Sequence, residues 1–224
     1  MAQASARDTR NRRPLVHRGV EIVCSSRFED AARAEGFAAI AGLDEVGRGA
    51  LCGPVVACAV VLGECFDTAG LDDSKRLTAK RREQQARRIL ASAHAVGIGS
   101  AGHEEIDRLN ILRATHVAMK RALEGLKTAP DLVLVDGHAL VPGLDVRQRA
   151  IVKGDALSVS IAAASIVAKV HRDAIMQDCD VRFPGYGLAH NKGYASEDHR
   201  EALRRLGPSG IHRRSFHGTQ QWLF

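Results

Sequence analysis

The period of apolar positions changes repeatedly along this chain, and the changes outline alternating helices and strands. Ser26 to Gly36 carries charges at helical spacing, with Gly36 a stop before the apolar run Phe37 to Leu43, which predicts a first strand. Pro54 to Leu62 is nearly continuous Val, Ala and Cys, and Val96 to Ser100 is a short run of small residues bounded by glycine. Two further strands follow, and three strands before a long helix suggest a meander. Thr78 to Ala95 reads as a basic helix. His103 to Lys127 reads as one helix whose broad apolar face holds Ile106, Leu109, Leu112, Val117, Met119 and Leu123.

After Pro130 the run Leu132-Val133-Leu134-Val135 is apolar on both alternating faces, as a strand buried between helices requires, and it stops at Asp136-Gly137. A polar-apolar strand from Asp145 to Lys153 ends in the same way at Gly154-Asp155, and an Ala-rich helix runs from Ser158 to about Met176. Acids therefore close three predicted strands. Ligands of open α/β sheets collect at strand ends, so Asp44, Glu45, Asp136 and Asp155 are expected to converge although they are distant in sequence.

Composition narrows the class. A chain of 224 residues suits one sizeable domain, here 24–217, preceded by a flexible basic arm over 1–23 and followed by a tail over 218–224. The arm carries five Arg against Asp8 and Glu21, with little apolar periodicity. A net charge of +6, with clusters such as Lys80-Arg81-Arg82 and Arg213-Arg214, points to a polyanionic partner. Five cysteines without CxxC spacing suit a reduced, cytoplasmic protein. No apolar segment approaches the roughly 18 residues of a membrane span, and no signal peptide is recognisable.

The densest candidate chemistry is Asp44-Glu45-Val46-Gly47-Arg48-Gly49. The acids offer hard oxygen ligands of the kind Mg²⁺ or Mn²⁺ prefers, and the glycines let backbone N–H groups approach a ligand. Taken alone, these six residues fit a solvated acidic turn paired with Arg48 equally well. Consecutive strand residues face opposite ways, so Asp44 and Glu45 are expected to share a site only where the strand ends and bends. Joined by Asp136 and Asp155 on a basic chain, they fit two-metal phosphodiester hydrolysis.

Several motifs extend this reading in a fixed order: Ala41-Gly42-Leu43-Asp44-Glu45-Val46-Gly47-Arg48-Gly49, Asp73-Ser74-Lys75, Leu109-Asn110-Ile111-Leu112 and Val135-Asp136-Gly137. They continue with Val152-Lys153-Gly154-Asp155, Ala163-Ala164-Ser165-Ile166-Val167-Ala168-Lys169-Val170, His190-Asn191-Lys192-Gly193-Tyr194 and His212-Arg213-Arg214-Ser215-Phe216. Over roughly residues 38–217 the chain closely resembles the bacterial ribonuclease HII (type 2 ribonuclease H) family.

The resemblance implies the α/β ribonuclease H-like fold: a mixed five-stranded sheet flanked by helices, with a small C-terminal helical extension. It implies that Asp44, Glu45, Asp136 and Asp155 are the catalytic and metal-binding carboxylates, with Asp173 the alternative for the last. Gly47, Arg48 and Gly49 would contact the ribose 2′-OH, and Tyr194 would stack on the sugar at the RNA-to-DNA step. Lys75, Lys153, Lys169, His190 and Lys192 would contact phosphates or support the acids. Ser165 would bond within the site or simply pack the helix. Arg76 stands where the family often has a second lysine.

The implied activity is Mg²⁺- or Mn²⁺-dependent endonucleolytic cleavage of RNA in RNA/DNA hybrids and 5′ to single ribonucleotides in duplex DNA, leaving 3′-hydroxyl and 5′-phosphate ends. The implied state is a monomer. The last five residues, Gln220-Gln221-Trp222-Leu223-Phe224, resemble the short peptide by which bacterial proteins bind the DNA sliding clamp; they also suit a tail folded onto its own core. Two other readings are another nuclease or recombinase on the same sheet and a non-catalytic hybrid-binding module.

Overall fold

The computed structural model describes residues 24–220, together with the backbone pairing of Val16–His17 with Val20–Glu21. The rest of the basic arm, and residues 221–224 of the clamp-like peptide, lie outside the described residues.

Five strands form one mixed sheet: β1 (Ile40–Val46), β2 (Val55–Val61), β3 (Ala95–Ala101), β4 (Leu132–Asp136) and β5 (Arg147–Ile151). Their order is β3-β2-β1-β4-β5. The first three make the expected antiparallel meander, although a helix, α2 (Ala79–Ser92), enters between β2 and β3. β4 and β5 add in parallel, with Leu43 opposite Val135 and Asp136 opposite Ile151.

Strand alternation divides the core. Leu43, Val55, Ala57, Ala59 and Val135 face α3 (His103–Leu109) and α4 (Ile111–Glu124). Val56, Cys58 and Val60 face α2 and α5 (Val159–Arg182). A smaller core of Leu51, Met176, Cys179, Tyr186, Leu188 and Leu203 lies under α6 (Leu188–Asn191) and α7 (Glu197–Leu206), and α8 (His217–Gln220) ends the described chain. Helix α1 (Arg27–Ala34) closes the β4–β5 side through Ala32. Among the described residues no helix is long and apolar enough to cross a membrane.

Two close approaches set this geometry. A Cβ on Gly42 would lie 2.1 Å from the carbonyl carbon of Ser160, so the start of α5 rests directly on β1. Cβ atoms on Gly97 and Gly99 would lie 2.0 Å and 2.2 Å from the carbonyl oxygens of Ala122 and Ala118, which seats α4 against β3. At that distance alanines fill the interface. The expected α4 face is corrected accordingly: Ala114, Ala118, Met119 and Ala122 point inward, while Leu112 is exposed.

The single helix predicted over 103–127 is two helices. Asn110 sits at φ 71°, outside the helical region, and its side chain accepts the Arg113 N–H at 3.1 Å to cap α4. Helix α5 runs beyond the predicted Met176 to Arg182, because Arg172, Met176 and Cys179 continue its buried stripe. Its first turn is capped by the buried carboxylate of Glu29, whose Oε1 accepts the Ser160 N–H at 3.0 Å and the hydroxyls of Ser158 and Ser160.

Candidate active site

Strand β1 stops pairing with β4 after Leu43 but stays paired with β2 as far as Val46. Asp44 and Glu45 therefore lie inside a strand, not at a strand end as expected. They nevertheless belong to one electrostatic region, because the neighbouring strand ends beside them. Asp44 is buried on the α5 side, where its Oδ1 accepts the Glu45 N–H at 2.7 Å. Glu45 Oε1 lies 3.1 Å from the Arg48 guanidinium.

Asp136 is the last residue of β4, and its Oδ1 accepts the N–H groups of Gly154 at 2.7 Å and Asp155 at 3.3 Å. Gly154 is needed there: a Cβ would lie 2.5 Å from Ile161 Cδ1. Asp155 sits in a 3₁₀ turn, Gly154–Ala156, four residues beyond the end of β5, and Lys153 before it adopts φ 58°. That correction has a physical cause: β5 pairs only as far as Ile151, and the turn bends Asp155 back toward Asp136. Lys75 Nζ reaches Asp155 Oδ2 at 2.8 Å and lies 3.9 Å from Asp73.

Asp44 and Asp136 register the charges around them. Burial first, then the charges of Glu45 and Asp136, push the Asp44 carboxyl well above the ordinary carboxylate range, against the Ser165 hydroxyl. Burial, then Asp155, raises Asp136, against the backbone N–H groups of Asp155 and Gly154. For Lys75, burial opposes the charged form, but its bond to Asp155 and the charges of Asp155, Asp73 and Asp44 outweigh it and raise the ammonium.

Two of the four acids have a cationic partner, Glu45 in Arg48 and Asp155 in Lys75. The donors of all four are oxygens. That set fits hard divalent cations of the Mg²⁺ or Mn²⁺ type. Among the described residues, the trio whose ligand atoms all lie within 4.8 Å of one another is Cys52, His199 and His212, so the carboxylates are spread more widely than that.

The glycine loop is held from below. Gly47 has φ 94°, and a Cβ there would lie 2.1 Å from Arg172 Nε. A Cβ on Gly49 would meet nothing within 4 Å. Two fully buried arginines hold the surrounding carbonyls. Arg213 donates to Gly53 at 3.0 Å, Arg48 at 2.9 Å and Gly47 at 2.8 Å. Arg172 donates to Pro54 at 2.9 Å, Lys192 at 2.9 Å and Cys52 at 3.3 Å. Burial, and then the charge of Arg172, lowers Arg213 to about 9.

Tyr194 is half-buried beside this loop system, its ring centre 5.4 Å from the Arg172 guanidinium and 5.9 Å from Lys169 Nζ. Lys169 is bound to Asp173 at 2.7 Å, which commits Asp173 to an ion pair with its own helix. Lys192 is half-buried at φ 54°, its carbonyl held by Arg172, whereas Lys153 and His190 are exposed. Ser165 Oγ lies 3.0 Å from Ser74 Oγ, tying α5 to the loop that carries Lys75.

Arg172, Arg213 and His199 are not singled out by the sequence reading. One signal existed: Ala168, Arg172, Met176 and Cys179 share helical spacing, so Arg172 falls on the buried stripe of α5. For Arg213, inside a basic cluster, no local pattern separates a buried guanidinium from an exposed one.

The family model described as Ribonuclease HII matches residues 41–219. A Ribonuclease HII of Cereibacter sphaeroides is 55% identical over 206 residues, covering 92% of this chain and 97% of its own length. Among solved structures, the ribonuclease H2 of Pyrococcus horikoshii OT3 superposes with a TM-score of 0.69 at 26% identity, over 82% of this chain and 96% of the other. The RNase HII of Archaeoglobus fulgidus, solved as a complex with PCNA, gives 0.69 at 26% identity, over 80% and 95%.

Proposed function

The chain belongs to the ribonuclease HII family and is an endonucleolytic hydrolase with ribonuclease H activity on RNA/DNA hybrids; from that premise we propose that it also cuts 5′ to single ribonucleotides in duplex DNA, by two-metal catalysis. The observation that carries this reading is the meeting of Asp44, Glu45, Asp136 and Asp155 beside a glycine loop whose Gly49 is open to a ligand.

Asp44, Glu45, Asp136 and Asp155 would hold two divalent cations, Mg²⁺ or Mn²⁺, which supply charge stabilisation for an attacking water and a leaving oxygen when bound. The protein's own groups arrange the rest. Gly154 and Asp155 N–H groups fix the Asp136 carboxylate, and Lys75 fixes Asp155. Arg213 holds the carbonyls of Gly47 and Arg48, which presents the loop backbone to the 2′-hydroxyl that distinguishes RNA from DNA. Tyr194 offers a ring face to the neighbouring sugar, with Lys169, Lys192, Lys153 and Lys75 along the phosphate path. The Gln220–Phe224 peptide would serve as a sliding-clamp ligand, a role supported by the Archaeoglobus fulgidus relative's complex with PCNA.

The test is a DNA duplex with one embedded ribonucleotide, incubated with Mg²⁺ or Mn²⁺. Cleavage is expected on the 5′ side of the ribonucleotide, leaving a 3′-hydroxyl and a 5′-phosphate, and Asp136→Asn should reduce it to background. Cutting of long hybrids alone would overturn the single-ribonucleotide claim. Full activity in Asp136→Asn would overturn the site.

A further inference from the structure

Behind Tyr194 lies a cluster that the proposed catalytic roles do not use. Cys52 Sγ and ring nitrogens of His199 and His212 lie within 4.8 Å of one another, and all three residues are buried. Such donors suit a soft cation. The hydrogen bonding favours another arrangement. The Ser209 N–H donates to His212 Nδ1 at 3.0 Å, so a neutral His212 ring carries its proton on Nε2.

That proton lies between His212 Nε2 and His199 Nε2, which are 3.1 Å apart. His199 then donates from Nδ1 to the Tyr194 carbonyl at 2.9 Å. Every ring nitrogen is used, with one proton on each ring. A cation on His212 Nε2 would displace that proton to Nδ1, where it would oppose the Ser209 N–H. Burial holds both imidazoles below their ordinary range, against the Tyr194 carbonyl at His199 and with added repulsion from His199 at His212.

The two ends of this relay attach to the two halves of the proposed recognition apparatus. At one end is the Tyr194 backbone, which also receives the Ser196 N–H at 2.8 Å. At the other, Arg213 follows His212 in the chain, donates its N–H to Leu51 at 2.9 Å and holds Gly47 and Arg48 through its guanidinium. The Leu51–Gly53 segment runs between them: Leu51 N–H bonds Gly193 at 2.8 Å and Gly53 N–H bonds Ile211 at 2.9 Å. A Cβ on Gly193 would come 2.9 Å from Cys52 Sγ, so the Tyr194 segment is packed tightly against this strip.

We propose that His199 and His212 are positioning residues that fix the Tyr194 backbone relative to the Gly47–Gly49 loop and thereby set how strictly the enzyme selects the junction between ribonucleotide and deoxyribonucleotide. The inference rests on the roles proposed above for that loop and Tyr194.

Two replacements of His199 separate the relay's halves. His199→Asn keeps an N–H donor near the Nδ1 position, toward Tyr194; His199→Gln reaches toward His212 but leaves the Tyr194 carbonyl without that donor. The measurement is the ratio of cleavage rates on a single-ribonucleotide duplex and on a continuous RNA/DNA hybrid. Each variant breaks one of the relay's two hydrogen bonds, so each should lower the ratio about tenfold or more, the scale of a small misplacement of a substrate-positioning group. Equal losses on both substrates in both variants would mark a merely structural role and overturn the inference.

Tyr194→Ala serves as the control. If it loses selectivity and His199→Gln does not, this inference alone fails; if Tyr194→Ala keeps selectivity, the assigned role of Tyr194 falls and takes the inference with it. Nitrogen-15 NMR of the parent should find His199 protonated on Nδ1 and His212 on Nε2. The reverse tautomer at His212, or stoichiometric Zn²⁺ retained by the parent and lost in Cys52→Ser, would overturn the relay.

Discussion

Gly47 and Gly49 stand two residues apart and are glycine for different reasons. Gly47 occupies a left-handed conformation with Arg172 in the space a side chain would need; Gly49 has neither constraint. Gly47→Ala should therefore destabilise the protein by about 1–3 kcal/mol, whereas Gly49→Ala should leave the urea midpoint nearly unchanged and weaken cleavage of ribonucleotide-containing substrates. Normal cleavage by Gly49→Ala would show that the loop backbone does not approach the 2′-hydroxyl. The carboxylates carry an opposite trade. Asp44 is buried among like charges, so Asp44→Asn should abolish cleavage yet raise the melting temperature of the metal-free protein, by about 2–4 °C for each kcal/mol of repulsion relieved. A lower melting temperature would contradict that account of the site. The identity of these acids was legible in the sequence because they sit where apolar runs stop, while their mutual electrostatics depended on β4 ending beside β1.

Helix α5 is the element that positions most of the site. It rests on Gly42 at its start, brings Ser165 to Asp44 and Ser74 midway, and buries Arg172 under the glycine loop further on. Gly42→Ala should lever its first turn away from β1, costing about 1–3 kcal/mol by overpacking, with a loss of activity that follows from displacing Asp44's surroundings. Chemical denaturation and a cleavage assay on the same variant check both parts. The docking of α7 has its own signature. His199 and His212 are held neutral in the fold, His212 down to about 4 from 6.5, so the unfolded chain binds protons more readily below pH 6.5. Their contribution to stability is present above pH 6.5 and is lost as the pH falls toward 4. The drop in melting temperature across that window should be shallower in His212→Gln than in the parent, and an identical slope would argue against neutral histidines. Periodicity found α5 readily. It joined α3 to α4 across Asn110 because an apolar stripe continues there, and only the backbone angle of Asn110 reveals the break.

Charge is distributed unevenly through the protein as well as in excess. The net +6 coexists with a cluster of four acids, so nucleic-acid affinity must come from the basic surroundings while the acids need cations of their own. Binding of hybrid to the Asp136→Asn variant should weaken steeply with salt, the log–log slope being about −0.9 for each phosphate neutralised on duplex DNA and shallower on single strands. Fluorescence anisotropy over a salt series measures it. A flat dependence would remove the basic residues from the interface.

The segments that become strands, the acids that follow apolar runs and the glycine loop were readable from the chain, since apolar period and turn residues are local properties; the order of the strands and the place of Asp44 and Glu45 inside β1 were not. The meaning of Arg172, Arg213, His199 and His212 was not. Arg213 meets Gly47 across 166 positions and Arg172 meets Cys52 across 120, and no spacing rule registers contacts made by one segment crossing another. Burial turned those two arginines from apparent surface charge into donors for loop carbonyls, because a guanidinium removed from water must satisfy its N–H groups on whatever backbone it meets. Local pattern thus marked the candidate groups for chemistry, and chain crossing decided which groups hold them in place.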